Sequence, residues 1–113
     1  MTRNQFRKIA LSFPEVHEEP HFERASFRVG KKIFATITAD GRQAMVGVAE
    51  PDRVEALLKS FPDAFFSHGY WTQRSGALGV NLAHADSALL RELLTDSWRR
   101  VAPKRLIEGL TSR

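Results

Sequence analysis

Apolar residues recur at helical spacing at Phe6, Ile9, Ala10 and Phe13, and the run stops at Pro14. That spacing predicts a first helix with one buried stripe. Thr2 and Gln5 stand three apart at its start, the capping-box spacing that satisfies two orphan backbone amides. The period then changes. Ala25, Phe27 and Val29 alternate with Ser26 and Arg28, Gly30-Lys31 offers a turn, and Ile33 to Thr38 is rich in β-formers, which reads as a hairpin. Asp40-Gly41 predicts a second tight turn into Gln43 to Val48, with Ala44, Val46 and Val48 on one face, completing a three-stranded antiparallel meander.

Helical spacing returns at Val54, Leu57, Leu58 and Phe61, entered by Pro51 and ended by Pro62, since proline is tolerated in a first turn and not inside a helix. Ala64 to His68 and Leu78 to Leu82 are two further strand segments, joined by the polar stretch Gly69 to Ala77. Asp86 is placed to cap a last helix whose stripe is Leu89, Leu90, Leu93, Leu94, Trp98 and Val101, up to Pro103. Leu106, Ile107 and Leu110 predict a further turn or two. The order is α, three strands, α, two strands, α. This is a two-layer α+β fold with one antiparallel sheet and helices on one face. The other face would stay open and solvated, carrying Arg24, Ser26 and Arg28.

At 113 residues and 42% hydrophobic, the chain is sized for one domain, 1–113, with a single core. There is no cysteine, which excludes disulfides, thiolate metal sites and cysteine nucleophiles and points to a cytosolic protein. No apolar run approaches a membrane span or a secretory leader, and Arg3, Arg7 and Lys8 punctuate the start; the expectation is a chain neither membrane-bound nor exported.

The formal charge of +4 permits an anionic partner without requiring one. Residues 97–113 carry Arg99, Arg100, Lys104, Arg105 and Arg113 against Glu108, which accounts for the whole excess. Before them, Glu15, Glu18, Glu19 and Glu23 make an acidic segment, followed by a basic one with Arg24, Arg28, Lys31, Lys32 and Arg42 against Asp40. A β-ribbon tipped by Arg28, Lys31 and Lys32, beside Arg24 and Arg42, suits a nucleic-acid groove, because cationic tips neutralise phosphates. The polar stretch after Gly69 adds Arg74, with Tyr70 and Trp71 as stacking candidates. Charged loop tips also simply keep small domains soluble and protect sheet edges. In the tail, Asp96 precedes Arg100 by four residues, so an intrahelical pair and the helix dipole account for much of that cluster.

His17 and His21 among Glu18, Glu19 and Glu23 form a metal-like constellation. Pro20 argues against a helix there, and in an extended segment the rings would lie about 13 Å apart, so a solvated acidic surface and no metal is the expectation. The chain has no Walker loop, dinucleotide fingerprint, zincin motif or nucleophile elbow. Ser67 and His68 are neighbours on a predicted strand and point to opposite faces, and His84 belongs with the Asp86 cap. No enzyme and no cofactor are expected. Phe6, Phe13, Phe27, Phe61, Phe65 and Trp98 fit core positions. Phe34 alternates with Ile33 and Ala35, so one large group would face outward; with Tyr70 and Trp71 it is the candidate ligand or partner surface.

Element order and residues together resemble the MmcQ/YjbR family of small bacterial proteins. The likeness lies in a first helix closing in Phe13-Pro14-Glu15-Val16, the acidic segment after it, the hairpin from Phe27 to Ala35, and Ser97-Trp98 in the last long helix, where the family usually has Ser-Tyr. Tyr70 to Leu82 departs from the family pattern, Trp71 standing earlier than the family's usual tryptophan. The resemblance implies a fold similar to type III secretion chaperones, CyaY-like in outline, and a DNA-binding role described as a double wing. The leading expectation is therefore a non-enzymatic cytoplasmic domain that binds DNA through basic hairpins. The alternative is a module that binds a protein, a peptide or a small ligand on its open sheet face, with a homodimer as one form of it.

Overall fold

The computed structural model describes residues 1–67 and 69–111, and of residues 70, 71, 73, 110 and 111 the backbone alone. Helix α1 (Arg3–Leu11) has the expected reciprocal cap between Thr2 and Gln5 and buries Phe6, Ile9 and Ala10. Strands β1 (Val16–His21), β2 (Arg24–Val29), β3 (Lys32–Thr38) and β4 (Gln43–Gly47) follow, then α2 (Pro51–Ser60), β5 (Phe65–Ser67), α3 (Tyr70–Ser75), β6 (Ala77–Asn81), α4 (Ser87–Val101) and α5 (Lys104–Thr111). The strands form one antiparallel sheet in the order β1-β2-β3-β4-β6-β5. The α+β architecture is as read from the chain.

Several elements differ in detail. The acidic segment adds a sixth strand, the edge strand β1, paired with β2 from Val16–Val29 to His21–Arg24. An edge strand tolerates Pro20, whose missing N–H faces away from the ladder, and its glutamates discourage further pairing. The stretch after Gly69 contains a short helix, α3, closed by Gly76 in the left-handed region. The β3–β4 connection is a four-residue loop, 39–42, rather than a two-residue turn. Gly41 alone has positive φ there, and the Asp40 carboxylate accepts from the Thr38 hydroxyl and the Arg42 amide. Phe61 lies beyond α2 and is 45% exposed, so it is not part of the core, although its ring meets Phe65 edge-on.

The register defines two faces. Phe27, Ala35, Val46 and Leu78 align across four strands, and Ala25, Ile37, Ala44, Val80 and Phe65 make the next row. These rows meet Phe6 of α1, Leu57 of α2, and Leu90, Leu93, Leu94 and Trp98 of α4 in one core. The opposite row is Glu19, Ser26, Thr36, Met45, Gly79 and Phe66. Gly79 is required there, because a Cβ would come within 2.3 Å of the Phe66 ring that lies across it.

A β-bulge decides the fate of Phe34. Phe27 pairs with Ala35 and Arg28 with Ile33, so Phe34 is an extra residue opposite one step of β2. A bulge breaks strict alternation, and both Phe34 and Ala35 are buried, Phe34 to 3% exposure with its ring edge-on to Phe13. The expected outward-facing Phe34 is thus a core residue.

Candidate functional site at one end of the sheet

The six cations singled out from the sequence fall at opposite ends of the sheet. Lys31 and Lys32 are exposed at the β2–β3 turn, where Gly30 takes φ +61°. By register this end also holds the last residue of β4, Gly47, and the first of β6, Ala77. It therefore also holds the end of α3, where Arg74 is exposed. Arg24 and Arg42 sit at the other end, beside the β1–β2 turn and the β3–β4 loop. Seven residues of β3 separate the two ends, about 20 Å at strand rise. Arg28 lies on the open face and is largely occupied: its Nε donates to Ser26 at 2.9 Å and lies 3.4 Å from Glu19. Tyr70 and Trp71 lie on α3 at the Lys31 end, with side chains outside the described residues, as are His68 and Arg113.

The tail cluster divides as well. Arg105 forks onto the Glu15 carboxylate at 2.8 and 3.1 Å and ties α5 to the turn after α1. That pairing holds the Glu15 carboxyl below its ordinary range. Lys104 reaches Glu108 on its own helix. The expected Asp96–Arg100 pair is not formed. Asp96 is 2.6 Å from Arg53 of α2, and this hydrogen bond raises the Arg53 guanidinium pKa further, with Glu92 adding to it. Arg53 reaches Asp96 from a neighbouring helix, a partner no spacing along α4 reveals.

Arg100 is consequently left without an ion pair among the described residues. Its guanidinium lies against Gly47, where a Cβ would stand 2.7 Å from Nη1. Beneath it is a cavity of about 330 Å³ between the end of α4 and the ends of β3, β4 and β6. A neighbouring groove of about 650 Å³, lined by Val48, Pro51, Val54 and Leu58, shares Arg100 and Ser75 with it. Sequence reasoning missed this convergence. The available signal was Gly47 in a strand, since an interior strand glycine often marks close approach by another group.

The remaining sequence candidates have structural places. The Ser67 hydroxyl accepts from the Gly69 amide at 3.0 Å, Asp86 caps α4 through Leu89, and His17 meets Glu19 at 3.1 Å on β1. Among the described residues no three His, Cys, Asp or Glu side chains gather into a metal-like group, and no helix is long and apolar enough to cross a membrane. The segments that carry the family resemblance meet each other. Phe13 stacks on Trp98 with centroids 5.8 Å apart, and Trp98 Nε1 donates to the Pro14 carbonyl at 3.2 Å. Those motifs hold the first and last layers of the core together.

A family model described as YjbR matches residues 11–100. The fold is similar to the crystal structure of Deinococcus radiodurans protein DR2400, assigned to domain DUF419. The TM-score is 0.77 and the identity 24%, over 92% of this chain and 80% of that one. No curated protein matches the chain.

Proposed function

The chain belongs to the YjbR family, and for this member we propose nucleic-acid binding through the basic end of the sheet, with no catalytic residue and no cofactor. The observation that carries the reading is the gathering of Lys31, Lys32, Arg74 and Arg100 at that end, from a hairpin, a short helix and the end of α4. The β2–β3 and β5–β6 connections both lie at this end, separated by β4. Exposed lysines at a hairpin tip suit phosphate neutralisation, which confers affinity with little sequence readout. The protein-partner alternative has less support, since Phe34 is buried and edge strand β1 is guarded by Pro20 and its glutamates.

The test is fluorescence anisotropy with a labelled duplex and a matching single strand at about 50 and 200 mM salt, the range over which phosphate-dominated affinity falls steeply. Lys31→Glu with Lys32→Glu should weaken binding and flatten the salt slope, while Arg42→Glu at the opposite end should change it little. Binding that depends on Arg42 and ignores Lys31 and Lys32 would place the interface elsewhere. No binding at the lower salt would remove the reading.

A further inference from the structure

We propose that the cavity beneath Arg100 is a binding site for a small organic acid, its apolar body inside and its carboxylate on the Arg100 guanidinium. The volume of about 330 Å³ lies within the range of small-molecule sites, about 300 to 1,000 Å³. Ile33, Met45, Ala77 and Val101 give it an apolar wall, and among the described residues that line it Arg100 is the sole charged one.

Two features mark Arg100 as a recognition group rather than an ordinary surface cation. Its expected partner one turn earlier is consumed by Arg53, so among the described residues the guanidinium is left without a carboxylate. Gly47 has no side chain to keep it off the strand. A planar guanidinium matches a carboxylate with two parallel hydrogen bonds. The apolar wall selects against inorganic phosphate, which has no body to bury. The adjoining groove lined by Pro51, Val54 and Leu58 would admit a longer chain. This site shares Arg100 with the basic end proposed for nucleic acid but uses neither Lys31 nor Lys32.

The experiment is a proton–nitrogen correlation NMR titration at constant ionic strength with hexanoate, its neutral isostere hexanamide, and inorganic phosphate. Hexanoate should shift the amides of Ile33, Gly47 and Ala77 and bind about tenfold more tightly than hexanamide, a charge-assisted fork against a neutral contact. Phosphate should not shift them. Arg100→Gln, at an exposed position whose folding the same spectrum reports, should abolish the preference for acid over amide. Lys31→Glu with Lys32→Glu should leave it intact, so failure of duplex binding and failure of this site are read separately. Equal binding of acid and amide, shifts confined to Lys31 and Lys32, or no shift up to about 10 mM hexanoate, well beyond a millimolar affinity, would overturn the proposal.

Discussion

The hydroxyl of Ser97 stands between two sheet strands: it donates to the Phe34 carbonyl of β3 at 2.6 Å and accepts from the Gly47 amide of β4 at 3.2 Å. The β3–β4 register runs from Ile37–Ala44 to Ala35–Val46, and Phe34 and Gly47 are the next residues outward. A helix side chain thus takes the place of the next ladder contact. The strands part at this end, and Arg100, one turn further along α4, lies over the opening.

Ser97→Ala removes both bonds and strands a buried carbonyl and a part-buried amide, so we expect a loss of about 1–3 kcal/mol. Urea denaturation measures it. A cost near zero would mean that the two strands re-pair without the hydroxyl.

Gly30 and Gly76 have similar positive φ, +61° and +72°, but different surroundings. A Cβ on Gly30 meets open space, whereas one on Gly76 would stand 2.1 Å from the Val48 carbonyl oxygen. Gly30→Ala should therefore cost only the left-handed strain of about 1–2 kcal/mol. Gly76→Ala should cost clearly more, roughly 3 kcal/mol or above, through backbone displacement. Thermal melts of the two variants give the comparison, and equal costs would contradict the close approach.

Phe22, at the β1–β2 turn, has φ +58° and is 94% exposed, its ring lying edge-to-face with that of His21. It bears backbone strain with little burial in return. Phe22→Gly should stabilise the fold by about 0.5–1 kcal/mol, strain relief less the entropy of the added glycine. A lower melting temperature would show that the ring contributes packing.

Asp40 tests the β3–β4 loop by pH. The Thr38 hydroxyl first, then the Arg42 amide, hold its carboxyl below the ordinary 3.8. A carboxyl depressed on folding contributes stability that is fully present above its unfolded pKa and is lost as pH falls through the lower folded value. Wild type should therefore lead Asp40→Asn at neutral pH, with the lead shrinking below about pH 4. A lead independent of pH would mean that geometry, not charge, holds the loop.

Helices α1, α2 and α4, the central strands and the fold class were legible because each rests on local information. A capping pair, a 3.6-residue stripe from Leu89 to Val101 and a two-residue alternation around Phe27 can each be read over a few turns. Strand β1 was not legible, because an edge strand needs neither an apolar face nor a full set of backbone donors, and Val16–His21 has the composition of a loop.

The candidate site was legible only in part. Lys31, Lys32 and Arg74 were identifiable as cations at connections, but that they share an end of the sheet with Arg100, while Arg24 and Arg42 do not, follows from strand order and register. By itself the sequence determined the long helices, the central strands and which residues are apolar, since those depend on neighbours along the chain. The tertiary structure alone decided that a bulge buries Phe34, that Arg53 takes Asp96 from Arg100, and that Gly47 admits the freed guanidinium. Each is a contact between elements distant along the chain, whose geometry is set by packing and leaves no local period to read.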